Sequence, residues 1–175
     1  ITDMQALNEL CNKSNQVTKS VKNNLSPYYG VPYYFLTNKV DQKKGLNEQF
    51  FPTKFQNLIS KKYEIRSFYI CKEIYSVAIF SQSDKGTMID YRNYNYGKPN
   101  RFVPIVLPIE IEQKLHALME VLQLNTGSID LIYTKNNEYV FLEVNPVGQY
   151  GGMVSEPGNY YLDKIIAKHL CGHES

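Results

Sequence analysis

The chain has 175 residues, 43% of them hydrophobic and 21% charged, with a net charge of +2; this is the composition of a globular protein with one sizeable core, not of a disordered or fibrous chain. No run approaches the ~18 apolar residues of a membrane-spanning helix, no basic-then-apolar pattern opens the chain, and no concentrated basic stripe favours nucleic acid as a partner. Three widely spaced cysteines, Cys11, Cys71 and Cys171, form neither a disulfide framework nor a zinc spacing, so a reducing cytoplasm is the expected compartment.

Met4, Leu7, Leu10 and Cys11, behind the capping residues Thr2 and Asp3, have the spacing of a short amphipathic helix. A strand from Gln16 to Val21 follows and carries Lys19, which by itself reads as an edge or solvent lysine. Between Asn23 and Phe51 the pattern loosens, with turns at Pro27-Tyr28-Tyr29-Gly30 and Lys43-Lys44-Gly45 and a strand in Val31 to Thr37. Tyr63–Ile70 and Ile74–Phe80 read as two strands joined by a tight turn at Cys71-Lys72-Glu73. Alternation puts Glu64, Arg66 and Phe68 on one side, leaving open whether Arg66 pairs with Glu64 or faces a ligand.

Further on, Asp90-Tyr-Arg92 and Asn100-Arg101 flank the turn-rich Tyr96-Gly-Lys-Pro99. Fifteen tyrosines and no tryptophan mark the chain, and the polar setting of Tyr91, Tyr94 and Tyr96 suits a surface that meets an extended peptide. Pro108 starts a helix whose apolar stripe is Ile111, Leu115, Leu118, Met119 and Leu122; His116 beside it reads as a packing or surface residue. After Gln149, residues 150–158 read as a loop, and Asn159 caps a last helix with Leu162, Ile165, Ile166 and Leu170 inward.

The stretch with the most chemistry runs from Asn125 to Gln149. Two runs rich in β-branched and aromatic residues flank Asn136-Asn137, a signal for a two-residue type I′ hairpin. With that turn, Lys135 pairs with Glu138 and Asp130 lies directly opposite Glu143, with Asn145 two residues on along the same face. Two facing carboxylates repel and call for a compensating cation, and an all-oxygen set of Asp130, Glu143 and Asn145 suits Mg²⁺. An exposed acidic strand face is the bland alternative.

Ser128-Ile-Asp130 with Phe141-Leu-Glu143-Val-Asn145-Pro resembles the metal-binding end of the ATP-grasp ligases, and the continuation Pro146-Val-Gly148-Gln149 resembles the peptide-modifying graspetide ligases, microviridin-type and "grasp-with-spasm". The resemblance implies an α+β ATP-grasp fold of two lobes with ATP between them: residues 1–51 a smaller lobe, 52–62 a hinge, 63–175 a larger lobe ending in the metal hairpin. It implies a domain that follows an upstream lobe. It places Lys19 on the phosphates, the backbone of Gln56, Asn57, Leu58 and Ile59 at the adenine edge, and Arg66, Arg92 and Arg101 as charge-stabilising catalytic residues. The Asp90-Tyr-Arg92 segment resembles that of the microviridin and ribosomal-protein glutamate ligases. Two departures stand out: no glycine-rich phosphate loop is evident, and Asn57 and Ser60 stand where relatives carry acidic residues.

The function so implied is ATP- and Mg²⁺-dependent activation of Asp or Glu side chains of a precursor peptide as acylphosphates, which hydroxyls or amines of the same peptide capture as ester or amide crosslinks. Alternatives are another ATP-grasp ligase acting on glutamate or an amino acid, and a fragment that only binds nucleotide or peptide. Neither nucleic acid nor membrane is expected as a partner, and a homodimer is left open.

Overall fold

The computed structural model describes residues 4–19, 27–28, 31–32, 36–40, 53–93 and 95–172. They form two compact units, one of residues 1–59 with 83–98 and the other of 60–82 with 99–175. Residues 83–98, which sequence reading leaves in the larger lobe, thus cluster with the first unit.

The first unit contains helix α1 (Met4–Lys13), which buries Leu7 completely, and a three-stranded antiparallel sheet in the order β4-β1-β5. Its strands are β1 (Gln16–Lys19), β4 (Asn38–Lys39) and β5 (Lys54–Asn57). Two short strands, β2 (Pro27–Tyr28) and β3 (Val31–Pro32), pair with each other, while Tyr29 and Gly30 of the expected turn lie outside the described residues. The Lys43-Lys44-Gly45 turn lies outside the described residues, as do positions 33–35 of the expected strand.

The second unit is a five-stranded antiparallel sheet in the order β10-β9-β6-β7-β8. It comprises β6 (Lys61–Ile70), β7 (Glu73–Phe80), β8 (Arg101–Ile105), β9 (Thr126–Thr134) and β10 (Tyr139–Asn145). Pro104 is tolerated because β8 is an edge strand. Helix α2 (Ile109–Val121) covers one face: Pro108 precedes it and Glu110 and Glu112 in its first turn complement the helix dipole. Leu115 and Met119 bury against Ile65, Tyr69, Ile129 and Leu131, each such side chain contributing about 1.5–3 kcal/mol. Leu122, expected on this stripe, is the C-cap and stays exposed, because the helix stops one residue earlier.

On the other face Phe68, Ile70 and Val77 pack with Val154 and Leu162. The segment expected as a loop is instead a π-helical turn, Gly151–Ser155, running into the helical turn α3 (Glu156–Gly158) and then α4 (Leu162–Cys171). Asn159 ends α3 in the left-handed region and does not start α4; the Leu162 N–H is satisfied by Ser155 Oγ at 3.0 Å. Leu170, expected inward, is exposed.

Candidate functional site

The hairpin of β9 and β10 brings Asp130 and Glu143 together as the sequence indicates, but by another route. Its turn has three residues, Lys135 to Asn137, closed by Thr134 N–H to Glu138 O at 2.9 Å, with Asn137 at φ 65°. The Asn137 side-chain oxygen accepts from the Tyr133 hydroxyl at 3.2 Å and from Lys62 Nζ, which fixes this wider turn. Tyr139 then faces Tyr133, and the register would place Leu142 opposite Asp130. A β-bulge between Phe141 and Glu143 absorbs Leu142 and restores Glu143 to Asp130 and Asn145 to Ser128. Without it Glu143 would turn onto the apolar α2 face, since side chains alternate.

The wider turn is favoured by the ladder it completes. Tyr139, Tyr133, Tyr63, Phe80 and Arg101 form a row across all five strands, with ring centroids 4.9, 4.9 and 5.1 Å apart and the Arg101 guanidinium 4.4 Å from the Phe80 centroid. Burial first, then the neighbouring hydroxyls, push the Tyr63 and Tyr139 hydroxyls up. This row lies on the α2 face. Arg101 is therefore not brought to Arg66 and the carboxylates: strand alternation puts it on the opposite face, stacked on a ring.

The row on the other face reads Glu143, Asp130, Arg66, Val77, Pro104. Arg66 Nη1 donates to Asp130 Oδ1 at 2.6 Å and also reaches Oδ2, with side-chain exposures of only 12% and 21%, so this is no solvated surface pair. Arg66 thus reaches across the sheet to Asp130, while Glu64 stands two residues away on its own strand. That carboxylate accepts from Lys61 Nζ at 2.6 Å and Ser81 Oγ at 3.1 Å, a cluster that sequence reading misses. Its signal was an opposite charge three residues before Glu64, brought to the same face by the bulge between Lys61 and Tyr63.

Asn145 opens a turn in which Gly148 N–H returns to Asn145 O at 3.1 Å and the Asn145 side-chain oxygen accepts from Val147 N–H at 3.2 Å. Asn at the first, proline at the second and glycine at the fourth position suit such a turn. Gly148 is required here, because a Cβ would lie 2.2 Å from Ser128 Cβ and Oγ. Ser128 Oγ also donates to Gln149 O at 3.0 Å, which fastens the turn over β9.

The remaining candidates belong to the first unit. Lys19 stands on β1 opposite Lys54. Gln56 and Asn57 lie in β5 opposite Val17 and Gln16, and the Leu58 N–H is committed to Asn15 O at 2.8 Å, so it is not a free donor for an adenine edge. The Asn57 side chain accepts from Ser14 Oγ at 2.8 Å and Gln16 Nε2 at 2.9 Å, while Ile59 follows the strand. Arg92 clasps its own Asp90 by Nε at 2.9 Å and Nη2 at 2.6 Å. Burial pushes the Asp90 carboxyl up, but hydrogen bonds from the Arg92 side chain and the Thr37 N–H outweigh it and hold the group below its ordinary value.

No family model and no curated protein matches the sequence. Solved structures do. An RiPP-associated ATP-grasp ligase of Chryseobacterium gregarium, solved with ADP and a leader and core peptide, is similar over 98% of this chain and 53% of its own, at 26% identity and a TM-score of 0.79. The macrocyclase MdnC of Microcystis aeruginosa MRC, solved with its precursor peptide MdnA, matches over 98% and 54%, at 28% identity and a TM-score of 0.77. This is an ATP-grasp fold. The ATP-grasp ligase PsnB, at 15% identity and a TM-score of 0.72, supports the fold alone. The chain spans about half the length of these solved ATP-grasp ligases.

Among the described residues no three His, Cys, Asp or Glu side chains gather as a metal cluster. The Asp130 and Glu143 pair of this ATP-grasp fold fits Mg²⁺, a hard ion that takes one or two carboxylates and completes its shell from water and phosphate. Among the described residues no helix is long and apolar enough to cross a membrane.

Proposed function

We propose that this ATP-grasp chain belongs to an enzyme that crosslinks a precursor peptide at the expense of ATP. The likeness over 98% of the chain to two peptide-bound ligases at 26% and 28% identity carries this reading. A γ-phosphoryl group passes from ATP to an Asp or Glu side chain of the peptide, giving ADP and an acylphosphate. A hydroxyl or amine of the same peptide then attacks the acyl carbon, phosphate leaves, and an ester or amide forms.

Asp130 and Glu143, with Asn145, are the residues that would hold Mg²⁺; bound there, the ion neutralises and orients phosphate oxygens. Arg66, beside them, offers a planar fork to developing phosphate charge. Lys19 acts as a point charge on the phosphates, and the backbone from Gln56 to Ile59 serves the adenine, with Leu58 contributing its carbonyl in place of its N–H. Arg92 and Arg101 have smaller roles than Arg66 in this scheme, since one is clasped by Asp90 and the other stacks on Phe80. A hinge near residues 52–62 that joins a smaller to a larger lobe is part of the same proposal.

The test is the full protein with ATP, Mg²⁺ and its precursor peptide, read by mass spectrometry. The expected product is lighter by one water per linkage, with one ADP released for each. ATP hydrolysis with a free amino acid as acceptor, and every candidate peptide at its original mass, would overturn the peptide reading.

A further inference from the structure

Asp130 and Glu143, two carboxylates in register, call for a cation between them. In this structure Arg66 already fills that need from the third strand of the row, with one nitrogen on both Asp130 oxygens. In the neighbouring row Lys61 is held by Glu64, and beyond Arg66 the row continues with Val77 and Pro104.

We propose that Arg66 is the resident counter-ion of the site, and that guanidinium and divalent ion exchange on Asp130. The inference rests on the reading that Asp130 and Glu143 hold the ion. A divalent cation brought to Asp130 meets a fixed positive charge on the same two oxygens and is repelled. Nucleotide phosphates relieve this, because they give the arginine fork a second set of anionic oxygens and leave Asp130 to the metal. Metal therefore enters tightly only with nucleotide, and each tightens the other by the same factor.

The probe is Mn²⁺ alone, its free fraction followed by electron paramagnetic resonance at fixed ionic strength. Without nucleotide, Arg66→Met should bind Mn²⁺ about tenfold or more tightly than wild type. Arg66→Lys, which keeps the charge but not the fork, should fall between, and serves if Arg66→Met does not fold by circular dichroism. Arg66→Met with Asp130→Asn should lose the gain. If wild type and both variants bind Mn²⁺ equally without nucleotide while ADP still tightens it in each, the exchange is overturned and the metal site stands. Failure of wild type to bind Mn²⁺ even with ADP removes the metal site and the exchange together.

Discussion

The β6–β7 and β9–β10 hairpins share one sheet but differ in how they are built. The first keeps register without a slip from Ile70 opposite Glu73 to Glu64 opposite Ile79. Its two-residue turn puts Cys71 and Lys72 at φ 45° and 71°, the geometry of a type I′ turn, without the glycine or asparagine that usually supplies it. The Cys71 N–H is held by Asn125 O at 2.8 Å. The second hairpin has the Asn-Asn signal yet makes a wider turn and a bulge. Regular pairing makes the β6–β7 hairpin a scaffold, whereas the irregular one uses its extra residue to aim a carboxylate. A bulge at this place is a positional device.

The sharpest way to break this comparison is to change the residue count at Leu142. Inserting one alanine between Leu142 and Glu143 should carry Glu143 and Asn145 past their partners Asp130 and Ser128 and weaken Mn²⁺ binding in the presence of ADP on the order of 100-fold. Deleting Leu142 should leave binding intact, because a regular ladder then carries Glu143 to the same partner. Equal losses in the two variants would show that the bulge does not set the register.

Gly148→Ala tests the turn that follows. Its Cβ would lie 2.2 Å from Ser128, so the turn must lift, with a cost of about 1–3 kcal/mol by denaturant unfolding. Adding Ser128→Gly should recover part of the loss. No loss would mean the turn is not fastened as described.

These outcomes bear on what was legible in the sequence. The strand runs of the larger sheet, the helix opened by Pro108 and the Asp130–Glu143 pair were legible, because local period and turn residues state them. The face of Arg101 was not. It depends on strand pairing far along the chain and on a ring, Phe80, that no local pattern links to it. The hairpin route was hidden for a similar reason: a tilted ring contact with Tyr133 and an anchored Asn137 outweigh the turn preference of two asparagines. Nor does any local signal mark the Gly151–Ser155 π turn, which is held by packing of Val154 against Phe68 and Leu162.

On the regular hairpin the effects are smaller. Replacing Cys71-Lys72 by Asn-Gly should stabilise the protein by about 1 kcal/mol by relieving the left-handed strain, with no change in Mn²⁺ binding. A destabilised protein would show that the Cys71 and Lys72 side chains contribute contacts that outweigh the strain.

Smallest is an alkaline effect. Burial, then the hydrogen bond to Glu73 and its charge, push the Tyr75 hydroxyl from 10.0 to about 12. A raised value in the folded state means that this contribution is present below pH 10 and is lost as pH rises from 10 toward 12. Tyr75→Phe should therefore flatten the fall in melting temperature across that window, while Tyr63 and Tyr139 keep part of it. An unchanged slope would count against the Tyr75 assignment.

The tyrosine ladder also makes the site hairpin visible to light. The chain contains no tryptophan to dominate its near-ultraviolet spectrum. Coupling between aromatic transitions falls steeply with separation, so Tyr63, Tyr133 and Tyr139, with successive centroids 4.9 Å apart, act as one asymmetric chromophore. Tyr139 belongs to the edge strand that carries Glu143, Tyr133 to the strand beside it, and Tyr63 to the next strand inward. Any event that loosens that strand uncouples the chromophore, so a change in circular dichroism of the tyrosine band reports on the hairpin of Asp130 and Glu143 with no label attached.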